Sequence, residues 1–176
     1  MLTTTFFTSL KNTTPSKVCT LEEIFGIIKS EKYKSVVSKI REEEVPSKSP
    51  LKNKIPVFTP TGIFNHRSIK GLETYNGVIC LDLDSVEDPF TLKEKCKELN
   101  YVHAAFITPS GKGLKVIIKT SSTKDDYKVT EETVSKRFFE DTGFMRDNHC
   151  KDIARIQFLS YDPNLYYNQN SEFINI

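Results

Sequence analysis

The stretch Gly77-Val78-Ile79-Cys80-Leu81-Asp82-Leu83-Asp84 constrains this chain most. A short apolar run rich in β-formers reads as a strand. Apolar side chains on both of its faces predict burial on both sides and a central place in a sheet. Residues two apart on a strand share a face, so the run ends by presenting Asp82 and Asp84 side by side. Two adjacent carboxylates repel and need either water or a neutralising cation. Mg²⁺ or Mn²⁺ suits such a pair, because hard cations take oxygen ligands and keep waters for substrate phosphates. The plainer alternative is a strand end with two solvated aspartates.

The flanking pattern alternates strands and helices, which predicts an α+β domain. Residues 1–17 are Thr-rich and read as an edge strand or a loose lead-in. Thr20 with Glu23 fits a capping box. The apolar spacing beyond it predicts helices near 21–30 and 32–44. The Pro- and Lys-rich stretch 45–56 reads as a loop. Residues 57–64 read as strand–turn–strand around Pro60-Thr61-Gly62. Residues 88–100 read as a helix with Pro89 in its first turn and Leu92, Cys96 and Leu99 on one side. Strands follow at 103–110 and 114–120, the second alternating Val116 and Ile118 with Lys115 and Lys119. Residues 125–143 read as a helix with Tyr127, Val134, Phe138 and Phe139 as core positions. Strands are expected near 153–159 and in the tail. The resulting organisation is a helical N-terminal segment, 1–50, packed on an α+β core, 51–176.

Two further groups bear on chemistry. Ser110-Gly111-Lys112-Gly113-Leu114-Lys115 places two glycines where a turn can bring backbone N–H groups to an anion, with Ser110, Lys112 and Lys115 nearby. An ordinary hairpin turn is the competing reading. It is not a Walker A loop, since Gly113 is followed by Leu114. Asp147 and Asp152, with Arg155 after them, offer a third carboxylate and a bidentate phosphate donor. The alternative there is a surface ion pair at a loop–strand junction. Asp162, in Ser160-Tyr161-Asp162-Pro163, reads as a turn residue, and Tyr161, Tyr166 and Tyr167 as stacking or sheet-edge residues. His66, His103 and His149 have no zinc-site spacing.

In their order, the blocks around 57–84, 106–119 and 152–168 resemble the VirE N-terminal domain family of bacterial mobile elements and phages. That family is similar to archaeo-eukaryotic primase–polymerases, which implies an RRM-like, mostly antiparallel catalytic sheet. The paired acid h-D-x-D matches Asp82 and Asp84. The pattern S-G-x-G-x-H matches Ser110, Gly111 and Gly113, with Lys115 at the histidine position. The resemblance implies Asp152 as the third catalytic and metal-binding acid. It also implies phosphate contacts from Ser110, Gly111, Lys112, Gly113, Lys115 and Arg155. The implied function is metal-dependent NTP or dNTP binding and nucleotidyl transfer on single-stranded DNA, alongside a helicase or other replication module. Lysine at the histidine position departs from the pattern and brings catalysis into question.

A non-catalytic nucleic-acid or replication-protein binding module on the same fold is the alternative. A D-x-D phosphatase with Asp82 as nucleophile is a second, since Asp82-Leu83-Asp84-Ser85-Val86 fits its opening, although no later G-D-x-x-x-D follows. A modestly basic first half suits a polyanion partner, with a solvated surface as the alternative: residues 1–80 carry 12 Lys/Arg against 7 Asp/Glu, and the remainder 13 against 16. No 18-residue apolar run predicts a membrane span. The start lacks the basic and apolar regions of a secretory signal. Four scattered cysteines read as reduced thiols, so a cytoplasmic protein is expected.

Overall fold

The structure is a computed structural model that describes residues 1–146 and 152–175. Its elements, in order, are β1 (Thr3–Phe7), β2 (Lys17–Thr20), α1 (Leu21–Lys29), α2 (Lys34–Glu42), β3 (Val57–Thr59), β4 (Gly62–Phe64), β5 (Leu72–Tyr75), β6 (Val78–Leu83), α3 (Pro89–Glu98), β7 (Val102–Ile107), β8 (Leu114–Lys119), α4 (Tyr127–Thr142), β9 (Gln157–Phe158) and β10 (Tyr166–Tyr167). The chain is thus an α+β domain with antiparallel sheets.

The sheet that carries the expected motifs has the order β10-β7-β8-β6. Each neighbouring pair in it is antiparallel. Because β6 and β7 both run antiparallel to β8, they are parallel to each other, and β6-α3-β7 forms a split β-α-β unit. Side-chain alternation sends Ile79, Leu81, Leu83, Val116 and Ile118 into one hydrophobic cluster, with Leu92 and Cys96 of α3 and Val134 and Phe138 of α4. Val78, Cys80, Phe106 and Ile117 enter the opposite cluster, with Ile24 and Ile28 of α1, Val37 and Ile40 of α2, and Phe58 of β3. Residues 1–50 therefore share a core with the later segment.

Several expectations need correction. β6 is buried on both faces as anticipated, but it stands at the end of the sheet order, not at its centre. The final strand, β10, pairs with β7, and among the described residues β6 has β8 as its one neighbour. Second, β1 is an interior strand of the sheet β2-β1-β3-β9, neither an edge nor a loose lead-in. Its threonines are compatible with burial because their hydroxyls serve the backbone: Thr4 Oγ1 donates to the Thr59 carbonyl at 2.6 Å, and Thr5 Oγ1 accepts from Phe64 N at 2.8 Å. The N-terminal segment thus adds two strands to its helices. Third, Phe139 is exposed, whereas Tyr127, Val134 and Phe138 are buried.

The capping box is present. Thr20 Oγ1 accepts from Glu23 N, and a Glu23 carboxylate oxygen accepts from Thr20 N at 2.7 Å. The 57–64 segment forms two strands, but they join different sheets: β3 pairs with β1 and β9, and β4 with β5. The strand expected over 153–159 is reduced to β9. Among the described residues no helix is long and apolar enough to cross a membrane.

Candidate functional site

The site lies where β6 and β8 run out. Their register sets Asp82 directly opposite Lys115, and Lys115 in turn opposite Phe106 of β7. Asp82 Oδ1 and Lys115 Nζ form an ion pair, with only 6% and 8% of the two residues exposed. The lysine is therefore held by its strand and by its counter-charge. Asp84, two residues on and past the end of β6, is exposed. The chain then turns through Ser85 at φ 55°, a left-handed conformation uncommon for a residue other than glycine.

The Ser-Gly-Lys-Gly segment is the connection between β7 and β8. It packs directly on the acid-bearing strand end: Val86 N donates to the Lys112 carbonyl at 3.0 Å. A Cβ on Gly113 would lie 2.6 Å from the Leu83 carbonyl oxygen and 3.2 Å from Asp84 Oδ1, so glycine is required by close approach. Gly111 adopts φ +71°. Two of the turn's N–H groups are used internally: Gly111 N donates to the Thr108 carbonyl and Lys112 N to Ser110 Oγ. The turn offers side chains more than a backbone cradle.

A cleft of about 360 Å³ opens here. It is lined by Asp82, Asp84, Ser110, Lys115 and Arg155, brought together from three separate stretches of sequence. Gly111, Lys112 and Gly113 shape the turn without lining the cleft. Asp152 faces a neighbouring cleft with Arg67 and Ser68, and Arg155 borders both. Asp147, His149 and Cys150 lie outside the described residues. A larger void, about 540 Å³, lies beside His103, Lys119 and Tyr167, at the other end of β7 and β8, and is lined by none of the residues expected to hold metal or phosphate.

Sequence reasoning missed Lys52. It belongs to the 3₁₀ turn Pro50–Lys54, read above only as part of a loop. Its ammonium donates to the Ser47 carbonyl at 2.9 Å and its side chain lines the cleft near Phe158. Burial pushes the Lys52 ammonium below its ordinary pKa, against the opposing pull of Asp84 and Asp82. The clustering of Lys48, Lys52 and Lys54 between prolines was the only sequence signal.

A divalent ion in this cleft would need oxygen ligands. Asp82 and Asp84 are oxygen donors of the right kind. However, the Lys115 ammonium already contacts the Asp82 carboxylate, Lys52 adds a second nearby cation, and Asp152 faces another cleft. Among the described residues no three His, Cys, Asp or Glu side chains group as a metal site. This arrangement does not fit a resident divalent ion.

Fold and site together define an α+β domain with a charged cleft at one end of an antiparallel sheet. The chain belongs to the BT4734-like, N-terminal domain family, whose model matches residues 50–167. No curated protein and no solved structure matches it.

Proposed function

We propose that the cleft is a nucleotide site in a primase–polymerase-like domain. It would bind an NTP or dNTP and single-stranded DNA during replication of a mobile element or phage, beside a helicase or another replication module. The observation that carries this reading is the convergence of Asp82, Asp84, Ser110, Lys115 and Arg155 on one cleft. These residues come from the three sequence blocks that resemble VirE N-terminal domains and primase–polymerases, including both members of the acid pair. The split β-α-β unit around α3 supports the RRM-like reading. A departure is that β10 pairs beside β7, whereas the last strand of a ferredoxin-like sheet lies beside the first.

Each group has a simple role. Lys52, Lys115 and Arg155 supply cationic donors for phosphate oxygens, Arg155 with a planar fork. The Ser110 hydroxyl adds a neutral donor. Leu10, Ile156 and Phe158 give the cleft an apolar wall for a sugar or base. Binding is the activity these roles support. Nucleotidyl transfer is supported less, because Lys115 engages Asp82 and Asp152 stands apart. That favours the docking-module alternative over a complete polymerase centre.

The test is equilibrium binding of dNTPs, NTPs and a single-stranded oligonucleotide, coupled to an extension assay with and without primer. Nucleotide binding, salt-sensitive DNA binding and no extension are expected. Failure of every nucleotide to bind overturns the proposal. Extension abolished by Asp82→Ala/Asp84→Ala would instead establish a polymerase.

A further inference from the structure

We infer that Lys115 takes the place of a divalent cation, so that the cleft binds nucleotide phosphate without metal. This rests on the nucleotide reading above and specifies how that site recognises its ligand. Lys115 projects from β8, which lies between β6 and β7, and its ammonium sits on the Asp82 carboxylate where a metal ligand would be needed. A lysine ammonium carries three donors, and the contact with Asp82 leaves others to face the cleft.

Charge supports the same conclusion. The cleft holds three cations, Lys52, Lys115 and Arg155, against two carboxylates, Asp82 and Asp84. It is therefore cationic before any ligand enters. A divalent ion placed on Asp82 would either displace Lys115 from its counter-charge or stand beside its ammonium. Displacement leaves a buried ammonium without its partner, and juxtaposition sets like charges together in a poorly solvated site. An incoming phosphate meets neither penalty, because it adds negative charge where positive charge is in excess. Asp82 holds Lys115 in position, and Asp84 opposes the phosphate by its charge and limits affinity.

The two schemes predict opposite signs at Asp84. If Asp84 is a metal ligand, Asp84→Asn weakens nucleotide binding. If the site is metal-free, the same substitution removes a repulsive charge and tightens binding by about threefold or more. Asp84 is exposed and belongs to no regular element, so this variant should fold.

The experiment is calorimetric titration of the full chain with dTTP, in EDTA and again in Mg²⁺. Wild type should bind in EDTA, with no tightening on addition of Mg²⁺. Asp84→Asn should tighten binding in EDTA. Lys115→Gln should weaken it by about tenfold or more. Because Lys115→Gln strands Asp82, the charge-balanced pair Asp82→Asn/Lys115→Gln is measured beside it, with thermal melting as the folding control. The double variant should melt cooperatively and bind weakly. Binding seen only with Mg²⁺ and weakened by Asp84→Asn would overturn the metal-free inference and leave the nucleotide site standing. Absence of dTTP binding under both conditions would overturn both.

Discussion

Replacing Asp162 by alanine should be among the most damaging single changes in this chain. Asp162 is 4% exposed and Lys93, on α3, is 2% exposed. The Lys93 ammonium donates to both carboxylate oxygens, at 2.8 and 2.7 Å. Asp162 Oδ2 also accepts from Ile107 N at 2.9 Å, and Oδ1 from Asn164 N at 3.1 Å. Asp162→Ala therefore strands a buried ammonium and two backbone donors together. Removing one partner of a buried pair costs about 3–5 kcal/mol. At about 2–4 °C per kcal/mol for a chain of this size, the melting temperature should fall by roughly 6–20 °C. Lys93→Met should cost less, because the carboxylate keeps its two backbone donors. The double variant should recover part of the Asp162→Ala loss, since no ammonium is left unpaired. Urea and thermal unfolding of the four proteins form the double-mutant cycle. A loss under about 1 kcal/mol for Asp162→Ala, or a double variant no more stable than that single one, would refute the reasoning.

His103 gives a pH prediction. Burial, reinforced by Lys119, holds its imidazole below the ordinary value of 6.5, against the weaker effects of the Asn168 carbonyl and Glu22. The unfolded chain therefore takes up the proton first, and stability should fall as pH drops through about 6.5 towards the folded pKa. His103→Gln should flatten the difference between urea midpoints at pH 7.5 and 5.5; an unchanged slope would exclude His103 as its source. Gly113→Ala should cost about 1–3 kcal/mol, since its Cβ meets the Leu83 carbonyl oxygen at 2.6 Å. Thermal melting reads the loss, and a neutral result would mean that the turn moves freely away from β6.

The readable parts of the fold were those specified by local pattern. The Thr20–Glu23 box marked the start of α1, and the alternation in β8 showed that Lys115 shares a face with Lys119. Strand periodicity also put Asp82 and Asp84 on one face. A strand was expected in the tail, but the sheet order was not readable, because it turns on which strand β10 joins, and its 2 residues carry no pattern that selects a partner. Lys93 gave no warning either. It follows Leu92 on a helix whose apolar side was plain, but only tertiary packing brings Asp162 to it. Lys52 was hidden for a similar reason: its loop has no periodicity, and its place at the cleft comes from the tertiary path of the chain.

The buried charges and the candidate site are parts of one construction. Asp162 accepts from Ile107 N at the end of β7, just where the Ser-Gly-Lys-Gly connection begins. One residue further on, the Thr108 carbonyl accepts from Arg41 Nη2 at 3.2 Å, and the same nitrogen donates to the Tyr161 carbonyl at 3.0 Å. The side chain of Arg41 also lies against Gly111: a Cβ there would meet its Cδ at 3.3 Å. Two charged side chains thus hold the outside of the turn whose inside presents Ser110 to the cleft. Arg41 comes from α2, before the span that the family model covers, and Asp162 comes from near its end. Without residues 1–49 the turn would lose Arg41, and the sheet face bearing Val78, Cys80 and Ile117 would lose α1 and α2. The N-terminal segment is therefore part of the framework that positions the cleft, which explains why the motif residues come together although the motifs themselves specify nothing of the segment that braces them.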